Sequence, residues 1–336
     1  MADAVNPTPS WNVVHDVGEL LEYHFMINAL LAGSVVAVMA GVVGWVMVLR
    51  GEAFAGHTLS MMAFPGAAAA ALMGVPGAWG YFLFCGAGAG AIARISGSER
   101  FSWSEQSAGI GAVQALALAL GFLFVSLYGG VLGDLESLLF GDLLGVSDGQ
   151  VLVLAVVAVV ALAALAALAR PLLFASVDAG VAAARGVPVR LLSLAFLLLL
   201  GLAVGATSQI TGVLLVFALL VAPAASAQAL TARPLVSLAL TVALGLLVVW
   251  LGLGIAYFSI YPAGFFIATV AFAVYVLARL IAEGEATGGD RESQIEGARR
   301  AWGQGFVAEA VDAFQRVPHR DSSGGDHAGL VTADDM

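Results

Sequence analysis

Residues 27–49 read INALLAGSVVAVMAGVVGWVMVL, without one charged side chain. About 20 apolar residues in helical form match a hydrocarbon core about 30 Å thick, where every backbone polar group must be bonded within the chain. Comparable runs recur at 57–74, 78–95, 108–128, 151–169, 190–208, 210–228, 235–258 and 263–282. With 61% apolar and 11% charged residues, no soluble domain of this length hides the surface involved. A closed barrel needs short segments of alternating polarity, which are absent. The sequence therefore specifies an all-α fold, a polytopic transmembrane helical bundle of about nine spans, with eight the alternative count.

Charge placement orients the bundle. The chain has no lysine, and its arginines fall into two sets. Arg50, Arg94, Arg100, Arg170, Arg185, Arg190, Arg233 and Arg279 all lie in loops or span ends on one side of a nine-span layout, and the rest lie in the C-terminal tail. The opposite side carries acids only, among them Asp16, Glu19, Glu22, Asp134 and Asp148. Basic residues stay inside, so the N-terminus is expected outside and the C-terminus in the cytoplasm. Three regions follow: an outer-face segment 1–26, the membrane domain 27–282 and a cytoplasmic tail 283–336. The polar, acidic start is not a cleavable signal peptide, and "VGELLEYHF" reads as a short amphipathic helix on the outer surface. In the tail, 291–316 is spaced for one apolar helix face, and the last 16 residues read as disordered.

Several features carry no chemistry. The single Cys85 has no intrachain partner and reads as a small packing residue. Gly86–Ala91 and Gly201–Gly205 have the small-residue spacing of close helix contacts. His15, Asp16, Glu19, Glu22 and His24 cluster before the first span; a solvated face explains them better than a cation site. Without lysine there is no phosphate-binding loop ending in Gly-Lys-Ser/Thr, so any ATP-driven motor is a separate subunit. "ISGSERF", 95–101, offers a serine beside arginines but no histidine partner, which argues against an intramembrane hydrolase. Nothing points to nucleic acid.

Two stretches are more informative. "RPLLFASVDAGVAAARGVPVRLL", 170–192, is a helix-length insertion between two spans, with Asp178 near its start and Gly186 and Pro188 as stop signals. It is either an amphipathic connector or a coupling helix gripped by a cytoplasmic motor. In "TGVLLVFALLVAPAASAQALTARP", 211–234, Pro223 removes one backbone hydrogen bond inside a span and marks a kinked, tightly packed helix.

Together these stretches resemble the membrane permease subunits of zinc and manganese ATP-binding-cassette importers. "GVLLVFALLVAPAASA" is similar to that family's G-x-LLV-x-ALL-x-x-PAA-x-A segment. "DAGVAAARGVPV" resembles its coupling segment at Asp178, Ala182 and Gly186. "LESLLFGDLLGVS" matches an outer-loop motif at Phe140 and Gly141, and "YPAG", 261–264, sits where the family opens its last span. The resemblance covers about 27–282 in consistent order. It implies a multi-pass plasma-membrane permease without its own ATPase site or cofactor, whose cargo is a divalent metal ion. The implied partners are two cytoplasmic ATPase subunits, a second copy of the chain in a homodimer and an extracytoplasmic metal-binding protein. A permease for chelated iron or another small solute is the alternative; a passive channel would need no coupling helix.

"RGEAFAGHTLSMMAFPGA" aligns with the family's R-x-x-x-x-x-G-D-x-x-x-H-x-x-x-PG segment, whose aspartate and histidine face the metal pathway. Here those positions are His57 and Met61, four residues apart on one helix face. Imidazole suits zinc or copper, and a thioether is a soft ligand that manganese does not favour. His57, Met61 and Met62 are thus the candidate metal-pathway residues, with Pro65 and Gly66 loosening the helix beyond them. The competing reading makes His57 a hydrogen-bonded packing residue and the methionines core filler.

Overall fold

The computed structural model describes residues 13–96, 103–128, 141, 143–259 and 261–288, and the described part is all helix and connecting turn, with no strand. The helices are α1 (Val13–Glu22), α2 (His24–Leu49), α3 (Ala53–Met73), α4 (Gly77–Ser96), α5 (Trp103–Tyr128), α6 (Asp148–Val177), α7 (Ala179–Ala184), α8 (Val189–Leu230), α9 (Pro234–Tyr257) and α10 (Ala263–Gly288). The chain divides into a unit of Met1–Ala282 and a second of Glu283–Met336. The expected tail helix over 291–316 and the final polar stretch lie outside the described residues, as does Phe140 of the outer-loop motif.

Among the described residues seven helices are long and apolar enough to cross a membrane: α2, α4, α5, α6, α8, α9 and α10. Helix α3 falls outside that set, and its surroundings explain why. It packs against α4, α5 and α8, and Thr58, Leu59, Ser60, Ala63 and Phe64 are almost wholly buried. A helix sheathed by other helices does not need lipid-facing leucines, so alanines and small polar residues suffice. By contrast α6 carries Leu152, Val153, Val156, Val159 and Val160 exposed along its length. That is the pattern of a helix with one side against lipid.

Helix α8 is not one rod. Ser193, near its start, accepts from Arg50 at the end of α2, and Gln228, near its finish, donates to the Trp45 carbonyl of that same helix. A straight helix would hold residues 193 and 228 about 50 Å apart, so the segment must fold back on itself. The reversal is at Gly212, whose φ of 74° and ψ of 166° are open essentially to glycine alone. Gly141 nestles against the backbone of Ile210–Gly212, where a Cβ would collide with it. The returning half then lies against α2 so closely that a Cβ on Gly44 would collide with the Leu220 backbone. Pro223 is buried in this half, and the helix continues through it.

The two ends of α2 organise the rest. At its start, Asn28 donates to Val146 O at 3.2 Å and to Asp148 Oδ1 at 2.6 Å. His24 Nε2 meets Asp148 Oδ1 at 2.9 Å in an exposed pair, and the Tyr257 hydroxyl reaches Glu19 at 3.4 Å. The first helix α1 contributes Glu19 to this cluster; the side chains of His15 and Asp16 lie outside the described residues. Helix α6 begins here with a full capping box between Ser147 and Gln150. At the other end of α2, the Trp45 indole donates to Ser237 of α9 at 3.0 Å.

Candidate functional site

Helix α3 carries the metal-site candidates. His57 is half-buried, with its Nδ1 buried and without a hydrogen-bond partner. Its ring lies 4.6 Å, centroid to centroid, from Phe217 in the returning half of α8. Met61 is buried one turn along the same face of α3. Met62 is turned away from that face and packs on Gly88 of α4, where a Cβ would press into its side chain. His57 and Met61 therefore share a face, and Met62 does not. Among the described residues no three His, Cys, Asp or Glu side chains converge on one point. What this face of α3 offers is an imidazole with a thioether one turn away.

Pro65 does not interrupt α3, which runs on to Met73 and ends in a left-handed Gly74. Gly66 serves packing: it meets the Gly80 backbone so closely that a Cβ on either residue has no room. Cys85, fully buried, places its Sγ 3.6 Å from the Leu59 carbonyl and fills the same α3–α4 contact.

The second candidate region is the connection between α6 and α8. Helix α6 overshoots Arg170–Pro171 and ends only at Val177, because Leu172 and Ala175 extend its buried stripe of Leu154, Ala158, Ala161 and Leu165. The helix of this connection, α7, is a single short turn-and-a-half over Ala179–Ala184. Asp178 caps it by accepting from the Val181 amide at 2.9 Å. Its far end closes with Gly186 N to Ala183 O and Val187 N to Ala182 O, both 3.0 Å. That double bond pattern with a left-handed residue is a Schellman stop, and Gly186 supplies the φ of 82° it requires. Ala182 is buried, holding α7 against its neighbours. Asp178, Ala182 and Gly186 are thus the cap, anchor and stop of one small element.

One cluster escaped the sequence reading. Arg50, in the turn after α2, donates through Nε and Nη2 to Glu52 Oε1 at 2.9 and 2.7 Å. Its Nη1 also reaches Ser176 Oγ at 3.3 Å and its Nη2 Ser193 Oγ at 2.9 Å, with the guanidinium over the Phe196 ring. Burial pushes the Glu52 carboxyl above its ordinary range, against the pull of the Arg50 guanidinium. Its Oε2 is buried without a hydrogen-bond partner. The signal in the sequence was the pair Arg50 and Glu52 at a span end; their serine partners lie more than a hundred residues away.

The model of the ABC 3 transport family matches residues 22–282. The manganese transport system membrane protein MntC of Halalkalibacterium halodurans is 32% identical over 270 residues, covering 80% of this chain and 90% of that protein. The chelated iron transport system membrane protein YfeC of Yersinia pestis is 28% identical over 242 residues, covering 72% and 80%. In the solved structure of PsaBC from Streptococcus pneumoniae in complex with Fab, one chain matches with a TM-score of 0.72 at 28% identity, covering 84% of this chain and 99% of that chain.

Proposed function

The chain belongs to the ABC 3 transport family, and from that premise we propose that it is the permease of an importer carrying a divalent transition-metal ion of the zinc and manganese class. It is a multi-pass protein of the cell membrane. The observation that carries the cargo reading is His57: a buried imidazole nitrogen without a partner, inside a helix among membrane spans, with Met61 on the same face. Ionisable groups at such depth are costly and mark ion pathways. A transport site must also release its ion, which suits two soft contacts better than a closed tetrahedral cage.

The layout is nine crossings, outside N-terminus and cytoplasmic C-terminus. Helix α3, at 21 residues, is about 31 Å long and reaches across the hydrocarbon core. Helix α8, folded back at Gly212, contributes two crossings. The arginine-rich side then faces the cytoplasm, with the segment 1–26 outside and the tail 283–336 inside. Two copies of the chain share one pathway, two ATPase subunits engage α7 from below, and a soluble binding protein delivers the ion from outside. ATP binding moves α7, and the bundle alternates between two packings that the motor contacts bias. Residues Asp178, Ala182 and Gly186 do the coupling; the chain itself hydrolyses no ATP.

A second reading, chelated iron as cargo, is favoured by the name of the Yersinia pestis relative. Elemental analysis of cells with and without the transporter tests both. Loss of manganese or zinc on deletion is expected. Loss of iron alone would favour the chelate reading, and an unchanged metal content would overturn both.

A further inference from the structure

We propose that Arg50 is a positioning residue that fastens both flanks of the coupling segment to the helix carrying His57, so that movement of α7 is delivered to α3. The inference rests on the coupling role assigned above to residues 178–186.

Helix α7 has little direct hold on the site helix. It packs against α6 and α8, and a cavity of about 730 Å³ lined by Glu52, Ala93, Ser96, Ala179, Ala183 and Leu197 lies between it and α4. That space removes direct packing between α7 and α4 and leaves α8 as the packed neighbour that α7 shares with α3. What links the flanks of α7 to the start of α3 is the guanidinium of Arg50. Ser176 stands two residues before the Asp178 cap, and Ser193 stands five residues after Pro188, in the opening turns of α8. Arg50 holds both hydroxyls, at 3.3 and 2.9 Å, while its two-pronged grip on Glu52 ties it to the residue that opens α3. His57 follows five residues later on the same rigid helix, about 7.5 Å along its axis.

A merely structural arginine needs only a counter-charge. Arg50 has one in Glu52, with side-chain exposures of 9% and 21%, so the pair is already neutral and held. The two serines add nothing to charge balance, but they join two separate segments at a fixed distance. The planar fork of arginine reaches several acceptors at once in set directions; a lysine ammonium is a point charge on a flexible stem and cannot hold that geometry.

The test uses the full transporter with its copurifying motor subunits in liposomes, reading manganese(II) and zinc(II) moved per ATP hydrolysed. The double variant Ser176→Ala, Ser193→Ala keeps the Arg50–Glu52 pair and should assemble with normal amounts of motor. Its metal-to-ATP ratio should fall about tenfold or more, since the loss of even one hydrogen bond to the charged guanidinium is worth about that much. Arg50→Lys should fall in the same direction, with ATP hydrolysis continuing. Native ratios in both variants, beside an uncoupled Gly186→Trp control, would overturn the role of Arg50 alone. A native ratio in Gly186→Trp as well would overturn the coupling reading on which it rests.

Discussion

The coupling segment and the candidate metal helix differ in how far their parts come from. Helix α7 is assembled from its own neighbours in sequence: Asp178 caps it, Gly186 stops it, and every bond involved spans five residues or fewer. The His57 site is assembled from distance. Its ring partner, Phe217, comes from beyond the reversal at Gly212, and that strand of helix is set in place by Gly44 of α2. Local elements can be read from a single sequence because cap and stop chemistry is contained in them. A site between helices cannot, because its second half is chosen by packing.

If that contrast is right, disturbing a remote packing contact should damage the site more than disturbing the cap of α7. The largest effect is expected from Gly44→Leu. A side chain there collides with the Leu220 backbone, one turn from Phe217, and overpacking of a tight contact costs about 1–3 kcal/mol or more. The protein should fail to accumulate, or accumulate without metal uptake, as immunoblots and uptake assays would read. Normal amounts with normal uptake would break the contrast.

Gly186→Trp comes next. The φ of 82° is unfavourable for any other residue by roughly 1–2 kcal/mol, enough to unseat the Schellman stop but not the membrane bundle. Transport per ATP should fall roughly tenfold with the permease still inserted. Asp178→Ala should be milder, since loss of one N-cap costs about 1 kcal/mol. A several-fold loss of transport at unchanged expression is the expected reading, and a complete loss would show that Asp178 does more than cap.

The smallest effect concerns pH. Burial raises the Glu52 carboxyl above its ordinary value of 4.5, so the folded protein holds that proton more tightly than the unfolded chain. The stability from this group is full below pH 4.5 and is lost as pH rises through the raised value. Thermal unfolding in detergent should therefore decline more steeply over that window for the native protein than for Glu52→Gln, which has no proton to release. Equal slopes would mean that Glu52 is better solvated than its burial implies.

Much of the fold was legible in the residues. Runs such as 27–49 and 235–258 specify spans by length alone, and α3 was recognisable although alanine, His57 and Ser60 keep it out of the strongly apolar set. The reversal inside α8 was placed within a few residues, because "SQITG" interrupts two apolar runs. Helix α6 outruns the apolar stretch 151–169. Arg170–Pro171 looks like a stop, yet Leu172 and Ala175 continue the buried face and packing carries the helix past it. In the site, the shared face of His57 and Met61 follows from four-residue spacing, whereas the turn of Met62 toward Gly88 and the ring of Phe217 depend on which helix lies alongside. The Arg50 cluster was hidden for the same reason: its serines are 126 and 143 residues distant.

The imidazole of His57, whose Nδ1 is buried without a hydrogen-bond partner, meets the transported ion in this account. Uptake of manganese(II) and zinc(II) by the His57→Ala variant, at amounts of permease and bound motor matched to the native protein, tests it most directly. Uptake at the background of cells lacking the transporter is predicted, and His57→Asp should restore it with preference shifted toward the harder manganese ion. Native uptake by His57→Ala would contradict the claim and leave His57 a packing residue against Phe217.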